Sequence, residues 1–280
     1  MNEKTIGYLG PVGTYCEMAA LSLFGKHKLS PYSSISAVIQ DVAKENISTG
    51  ILPMENLLEG TVIPVLDGLN ACPAVKISGE TVLKIEHHLM ANQGITKEQL
   101  TGIFSHPQAL AQCREYLKNN FSHLPCIPIF STAEAARRVA LDLKTCGAIA
   151  NRRAGEIYGL EILDTNISDV KKNLTRFIVI NRTIPAPTGR DKTSLAFSLE
   201  HRPGTLAKIL GLFAQADINL TKIESRPSRK VMGEYIFYVD FEGHVSNSHI
   251  KKLLKVVRKH ASYLSVLGSY PMCPAEPDDT

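Results

Sequence analysis

Short apolar runs alternate with capped helical segments from the first residues to about position 160, and this alternation restricts the fold more than any other property of the chain. Two neighbouring parallel strands cannot be joined by a tight turn; the crossover takes a dozen or more residues and is usually a helix. Residues 4–9 (KTIGYL) read as a buried strand. The turn Gly10-Pro11-Val12-Gly13-Thr14 follows, with Thr14 able to cap a helix and Glu17 completing a capping box. Met18, Ala19, Leu21, Leu23 and Phe24 give that helix an apolar side. The spacing predicts a helix over 35–45, a strand near 50–52 and a helix over 61–69, the α/β pattern of a mostly parallel sheet. A long extended segment, 75–90, leads into a second series. It comprises a strand at 102–104, a helix at 107–119, a strand at 126–130, a helix at 132–142, a strand at 147–150 and a helix from about 151. The chain then returns through Thr175 to Ile180. Leaving one α/β lobe, building a second and coming back gives two lobes around a cleft, where ligands settle at strand carboxyl ends and helix N-termini.

Residues 182–192 (RTIPAPTGRDK) are rich in proline, glycine and charge and read as a linker. Beyond it, strands at 193–199, 218–225, 234–241 and 262–269 and helices at 204–214 and 246–259 form a βαββαβ, ferredoxin-like unit. The expected limits are 1–182 for the first unit, with lobe 1 about 1–74 and 173–182 and lobe 2 about 75–172. The linker then covers 183–192, the second unit 193–270, and a mobile tail 271–280.

Charge and cysteine usage exclude several functions. The net charge is +4, and Lys251, Lys252, Lys255, Arg258 and Lys259 fall at helical spacing as one solvated face. No aromatic residues interleave with them, so no nucleic-acid platform is expected. No apolar stretch approaches eighteen residues, and the polar start MNEKTIGYLG lacks a signal sequence, so a cytoplasmic protein without membrane contact is expected. The six cysteines form no C-x-x-C pair and read as reduced thiols. His87 and His88 alternate faces with no third ligand at a recognisable spacing, so no metal is expected.

Six motifs carry chemistry, four in the first unit and two in the small unit. NLTRFIVI (173–180) puts the Thr175 hydroxyl and the Arg176 guanidinium at the mouth of the apolar strand 177–180. A hydroxyl passes hydrogen bonds in both directions and a guanidinium clamps a carboxylate, which suits a small organic acid; an ordinary strand start with a surface arginine is the alternative. GPVGTYCE (10–17) leaves backbone N–H groups at a helix N-terminus, where an anion is favoured, without a Walker lysine or a G-x-G-x-x-G pattern. In LPMENLLEGTV (52–62), Glu55 and Asn56 offer a proton relay and an orienting hydrogen bond, or a plain turn. In SHPQALAQC (105–113), Ser105 can cap, Pro107 suits the first turn, and Gln108 and Gln112 share a face; no G-x-S-x-G elbow marks a serine hydrolase. In the small unit, EHRPGTLAKIL (200–210) offers helix amides for a carboxylate, and Glu224 and Ser225 of KIESRP (222–227) offer partners for an ammonium.

Together these motifs resemble those of the prephenate dehydratase family over nearly the whole chain. GPVGTYCE resembles its G-x-x-G-T-[FY]-S-E motif and LPMENLLEG its P-x-E-N-S-x-x-G motif, while SHPQALAQC and NLTRFIVI match H-P-Q-A-L-x-Q-C and N-x-T-R-F. The C-terminal unit resembles an ACT domain with an E-S-R-P ligand motif. The resemblance implies an α/β fold with a two-lobed, type II periplasmic-binding-protein-like catalytic domain and a βαββαβ ACT domain. It implies conversion of prephenate to phenylpyruvate with loss of water and carbon dioxide, no metal or organic cofactor, and a homodimer or homotetramer inhibited by phenylalanine bound between ACT domains. By the same resemblance Thr175, Glu55, Asn56, Ser105 and Gln112 are catalytic, and Gly13, Thr14, Arg176 and Phe177 bind substrate. Gly204, Thr205, Leu206, Ala207, Glu224, Ser225, Arg226 and Pro227 would bind the effector. On this reading Thr175 donates to the leaving hydroxyl, relayed from Glu55, while amides near Thr14 and Arg176 hold the carboxylates.

Four positions depart from the pattern. Cys16 and Leu57 replace serines, and Gly204-Thr205-Leu206-Ala207 stands for G-A-L-V, which bears on effector affinity and range. Many relatives carry a chorismate mutase domain before the first motif; a first strand near Lys4 is expected to leave no room for one. Arogenate dehydratase, whose substrate has an amino group in place of the keto group, is the nearest alternative. A non-catalytic amino-acid sensor and a transport-type solute receptor come next.

Overall fold

The strand–helix alternation folds into two sheets joined by two chain crossings. The computed structural model describes residues 5–25, 27–229 and 234–274, so Lys4 of the expected first strand lies outside the described residues. In lobe 1, β1 (Ile6–Leu9) lies between β2 (Leu29–Tyr32) and β3 (Thr49–Asn56), parallel to both. The crossover helices are α1 (Tyr15–Phe24) and α2 (Ile35–Ala43), capped by the side chains of Thr14 and Ser34. β2 was not expected from sequence. It is a short edge strand whose Pro31, lacking an N–H, is tolerated because no further strand pairs beyond it. The two-residue β4 (Gly60–Thr61) folds back on β3, α3 (Ile63–Ala71) follows, and β5 (Lys76–Lys84) leads out of the lobe.

The second sheet contains β6 (His88–Ala91), β7 (Ile103–Ser105), β8 (Cys126–Pro128), β9 (Gly147–Ala150) and β10 (Glu161–Asp164), in the order β10-β6-β9-β7-β8. Its helices are α4 (Pro107–Gln112), α5 (Arg114–Phe121), α6 (Thr132–Leu141) and α7 (Arg152–Tyr158). The single helix expected over 107–119 is thus two, broken where Cys113 leaves helical geometry at φ −114°, ψ 20°. The chain returns as β11 (Leu174–Asn181), which inserts between β3 and β5, antiparallel to both. Ile178 and Ile180 of β11 then complete the core formed by Val38, Leu52, Met54, Leu66 and Ile77.

The C-terminal unit is β12 (Asp191–Ser198), α8 (Thr205–Gln215), β13 (Leu220–Pro227), β14 (Tyr235–Glu242), α9 (Ser248–His260) and β15 (Tyr263–Pro271), the expected βαββαβ order. Ile209, Phe213, Ile250, Leu253 and Val257 pack the two helices onto one face of its sheet. The other face is covered by lobe 1, because Ala196, Tyr238, Leu267 and Tyr270 belong to the same core as Leu52 and Ile178. At one register pair, Gly268 with Ile77, the two sheets merge into a ten-stranded sheet. A Cβ at Gly268 would lie 2.3 Å from the Ile77 carbonyl oxygen, so the junction requires glycine.

The expected linker and residues 272–273 of the expected tail are therefore held by hydrogen bonds. The Thr188 and Gly189 N–H groups donate to the Asp191 carboxylate, and His244 Nε2 donates to the Pro185 carbonyl. Mobility does not begin at Pro271, since the Met272 N–H donates to the Arg190 carbonyl and the Cys273 N–H to Glu80 Oε1. Residues 275–280 of the expected tail lie outside the described residues. No helix among the described residues is long and apolar enough to cross a membrane, and the six cysteines are unbridged.

Candidate active site

A cavity of about 970 Å³ opens between the lobes. Lobe 1 lines it with Thr14, Asn56, Glu59, Thr61, Thr175 and Phe177, and lobe 2 with His106, Gln108, Gln112, Phe130, Ser131, Thr132 and Tyr158. His87 and Asn173, at the chain crossings, complete the wall. The β3–β11 ladder decides which motif residues reach it. Thr175 stands opposite Asn56, and Arg176 opposite Glu55. Successive strand residues point to opposite faces, so Thr175 and Asn56 face the cleft while Arg176 and Glu55 face away from it.

On the cleft side the polar groups around Thr175 are amides, the hydroxyl itself, the imidazoles of His87 and His106, and one carboxylate, Glu59. Asn56 Nδ2 donates to Thr175 Oγ1 and to Asn173 Oδ1, both at 2.8 Å. Asn56 Oδ1 accepts from the N–H groups of Leu58 and Glu59, at 3.0 and 3.1 Å, which fixes the orientation of the amide. Gln112 Oε1 accepts from Asn173 Nδ2 at 3.2 Å and from His87 Nε2 at 3.0 Å, and Gln112 Nε2 donates to Glu59 Oε1 at 3.3 Å. A carbonyl oxygen only accepts, so the His87 proton sits on Nε2; burial pushes the His87 pKa down and keeps the ring neutral. Burial likewise lowers the pKa of His106, whose Nδ1 accepts from the Gln108 N–H. Thr175 Oγ1 accepts from Asn56, and its own proton has no acceptor among the described residues. At 8% exposure, this hydroxyl is held as a donor toward the cavity.

Several expected site residues lie elsewhere. Arg176 contacts Asp240 of the C-terminal unit at 2.7 Å, and Glu80 and Glu55 of lobe 1 at 3.0 and 3.5 Å. Burial opposes its charge, but Asp240, Tyr270, Glu80 and Glu55 hold its pKa above the ordinary range. Arg176 therefore clamps no ligand in the cleft. Glu55 is paired with Lys222 at 2.8 Å on that same far side and cannot relay a proton to Thr175. Ser105 is fully buried and donates to the Ile149 carbonyl at 2.6 Å, tying β7 to β9. Gly13 has no free group for an anion: its N–H donates to Glu17 Oε2 at 2.5 Å and its carbonyl accepts from Asn151 Nδ2 at 2.9 Å. Its φ of +88° and the 3.3 Å that a Cβ would leave to Ala154 Cα explain the glycine as a point of close lobe-to-lobe approach. Thr14, Phe177 and Gln112 do line the cavity.

Sequence reasoning missed Asn173, Glu59 and His87. A signal existed for Asn173, since a residue two before Thr175 shares its strand face. The partnership of His87 with Gln112 joins residues 25 apart and left no mark in spacing.

The effector residues divide. Gly204 to Ala207, at the N-terminus of α8, line a second cavity of about 240 Å³ together with Leu199, Arg202, Tyr235 and Phe237. Gly204 has φ +82°, a conformation that favours glycine. Glu224, Ser225, Arg226 and Pro227 do not border this cavity. Glu224 accepts from Thr61 Oγ1, Arg226 approaches Asp67 at 3.8 Å, and Ser225 and Pro227 are exposed on β13, at the edge of the sheet.

The prephenate dehydratase family pattern matches residues 6–185 and the ACT domain pattern residues 193–259. The chain is 40% identical over 278 residues to a prephenate dehydratase of Methanocaldococcus jannaschii, covering 96% of this chain and 99% of that one. It is 37% identical over 281 residues to arogenate dehydratase/prephenate dehydratase 2 of Arabidopsis thaliana, covering 95% and 72%. A solved prephenate dehydratase from Arthrobacter aurescens, in complex with L-Phe, superposes with a TM-score of 0.89 at 30% identity, covering 98% of this chain and 91% of that one. With both patterns in sequence order and relatives aligned over nearly its whole length, the chain belongs to the prephenate dehydratase family of carbon–oxygen lyases and carries an ACT domain.

Proposed function

We propose that this protein converts prephenate to phenylpyruvate in L-phenylalanine biosynthesis, with phenylalanine bound at the ACT domain as inhibitor. The observation that carries the proposal is the Thr175 hydroxyl, oriented by Asn56 and left with a free proton at the cavity wall. Prephenate loses its ring carboxylate as carbon dioxide; the electron pair of that C–C bond enters the ring while the C–O bond breaks and its pair leaves with the hydroxyl. Aromatisation drives the collapse, so the protein's part is to stabilise charge on the departing oxygen. A hydrogen bond from Thr175 does this, and the Asn56 N–H on Oγ1 polarises the hydroxyl into a better donor. Protonation of the hydroxide gives water.

The cavity lining holds no lysine or arginine among the described residues. The Thr14 hydroxyl donates to the Leu9 carbonyl, so the substrate carboxylates are assigned to the hydroxyl of Thr132 and to the N-terminal amides of α6, where partial positive charge favours an anion. Pro53, Val62, Ile85, Phe130 and Phe177 supply apolar surface for the ring. In this reading residues 1–182 are the catalytic unit and 193–270 the regulatory unit, bridged by the anchored 183–192. The protein is cytoplasmic and a homodimer or homotetramer. The separation of Gly204–Ala207 from Glu224–Pro227 within one chain supports a second copy completing the effector site.

One observation favours arogenate as a second substrate. Glu59 is the only charged side chain among the described lining residues, with His neutral, and a carboxylate there suits the ammonium that arogenate carries in place of the keto group. Parallel assays of the purified protein decide. Prephenate turnover is read as the ultraviolet absorbance of phenylpyruvate, and arogenate turnover as phenylalanine released. Turnover of neither would end the enzymatic reading and leave an amino-acid sensor.

A further inference from the structure

The effector motif of the ACT domain touches the wall of the catalytic cleft. Strand β13 directs Lys222, Glu224 and Arg226 toward lobe 1, at alternate positions. Lys222 Nζ donates to Thr61 Oγ1 at 2.6 Å and reaches Glu55 at 2.8 Å. Thr61 Oγ1 in turn donates to Glu224 Oε2 at 3.1 Å. Thr61 lines the cavity between the lobes. It is also the β4 residue paired with Glu55, while Asn56 pairs with Gly60. The β3–β4 hairpin thus carries Asn56 and Glu59 on its cleft side and is gripped from behind by two side chains of the E-S-R-P strand.

We propose that Lys222 and Thr61 are positioning residues that carry effector occupancy to the active site: phenylalanine at β13 changes their grip on the β3–β4 hairpin and so shifts Asn56 and the Thr175 hydroxyl it orients. This rests on the reading of the chain as a phenylalanine-inhibited dehydratase. The geometry favours this route over one through the shared apolar core. A polar contact of fixed partners has two discrete arrangements, made and broken, whereas Ala196, Tyr238, Leu267 and Tyr270 are buried in the core shared with lobe 1 and do not reach the β3–β4 hairpin's cleft residues by a polar contact. The route is also short. Thr61 alone separates Glu224, in the effector motif, from the cavity. Loss of Lys222 is tolerable for folding, because Glu55 is 38% exposed and keeps Arg176 as a partner.

The test uses the full-length protein with phenylalanine as probe and the variants Lys222→Met, Thr61→Val and Thr61→Ser. Phenylalanine affinity is measured by calorimetry, inhibition by initial rates, and amide hydrogen exchange across residues 57–62 with and without phenylalanine. In Lys222→Met and Thr61→Val, affinity stays within about threefold while the inhibition factor at saturating phenylalanine falls at least about tenfold, the size of an ordinary allosteric coupling. The effector-dependent change in exchange at 57–62 is present in the parent, lost in those two variants, and kept in Thr61→Ser, which preserves the hydroxyl. Inhibition of Lys222→Met and Thr61→Val to the parent's extent at saturating phenylalanine overturns the proposal. So does a parent whose exchange at 57–62 ignores phenylalanine. Failure to turn over either prephenate or arogenate defeats the functional reading instead, and the exchange measurement still decides whether the hairpin senses the effector.

Discussion

The two faces of the β3–β11 ladder are built from neighbouring residues and use polar groups in opposite ways. On the cleft face Asn56, Asn173, Gln112, His87 and Thr175 form a neutral chain of hydrogen bonds. On the back face Arg176, Lys192 and Lys222 meet Glu55, Glu80 and Asp240, three cations against three carboxylates. A neutral network can orient a hydroxyl while leaving its proton free for a ligand. A charge at the same distance would capture that proton or repel the substrate's carboxylates. The ionic face has a different duty, holding one domain against another where water is scarce; a buried ion left alone there is costly. The comparison therefore predicts a separation: cleft-face changes slow the reaction and spare stability, and back-face changes do the reverse.

The largest expected effect is at Thr175. Thr175→Ala lowers kcat by about 10²–10⁴-fold, the usual contribution of a positioned proton donor, with KM nearly kept. Stability falls by only about 1 kcal/mol, because Asn56 retains Asn173 as an acceptor. Steady-state kinetics beside chemical denaturation measures both, and a variant that turned over normally but unfolded early would reverse the assignment of the faces.

Glu80 gives the mirror experiment. Its side chain is 1% exposed and accepts from Arg176, Lys192 and the Cys273 N–H. Removing it as Glu80→Ala strands the buried Lys192, while Arg176 keeps Asp240 and Glu55; the change costs about 3–5 kcal/mol, read as a lower denaturation midpoint, while kcat at a temperature where the protein stays folded changes little. A drop in kcat as large as that of Thr175→Ala would show that the faces are not separable.

Gly268→Ala probes the same joint by shape rather than charge. Its Cβ would lie 2.3 Å from the Ile77 carbonyl oxygen, and backbone cannot swing aside as a side chain does. Overpacking of this kind costs about 1–3 kcal/mol. The expected result is a lower midpoint of thermal unfolding with catalysis retained; full stability would mean that β15 and β5 do not meet so closely.

The sequence revealed the strands and the residue types at the site, but which face of a strand pair is the cleft is a tertiary fact. Glu55 with Asn56, and Thr175 with Arg176, are adjacent pairs, and period-two geometry already said that one member of each points away. It could not say which, because that depends on the ACT sheet packing behind lobe 1, through contacts such as Arg176 with Asp240 across 64 residues. The same burial explains why a segment as rich in proline and glycine as 182–192 is anchored: its composition is that of a linker, while its carbonyl and N–H groups are taken by His244 and Asp191. β2 escaped notice because Leu29–Tyr32 is barely buried and broken by Pro31, so it carries almost no periodic signal. Asn173 and Asn56 were legible as polar residues beside strands. Their mutual bond, spanning 117 residues, was not.

The smallest effect separates the faces by pH. Burial lowers the pKa of His87, His88 and His106, and all three sit in or beside the cleft wall. An unfolded histidine titrates near ~6.5, so below that pH the unfolded chain binds protons that the folded one refuses, and stability falls as pH drops from ~6.5 toward the folded values. Glu134, held low by Arg137, and Glu86, held low by Lys84, lose their contribution only at lower pH, as the carboxylates themselves protonate below ~4.5. Between pH 7.5 and 5.5 the decline therefore belongs to the histidines. His87→Gln keeps a donor for Gln112 without a titrating ring and recovers at most about 1.4 kcal/mol of the loss at pH 5.5, one unit below the unfolded value. The check is the thermal midpoint of parent and variant at the two pH values. An unchanged drop in the variant would mean that His87 protonates in the folded state as easily as in water, and that the cleft wall is less dry than its hydrogen bonds indicate.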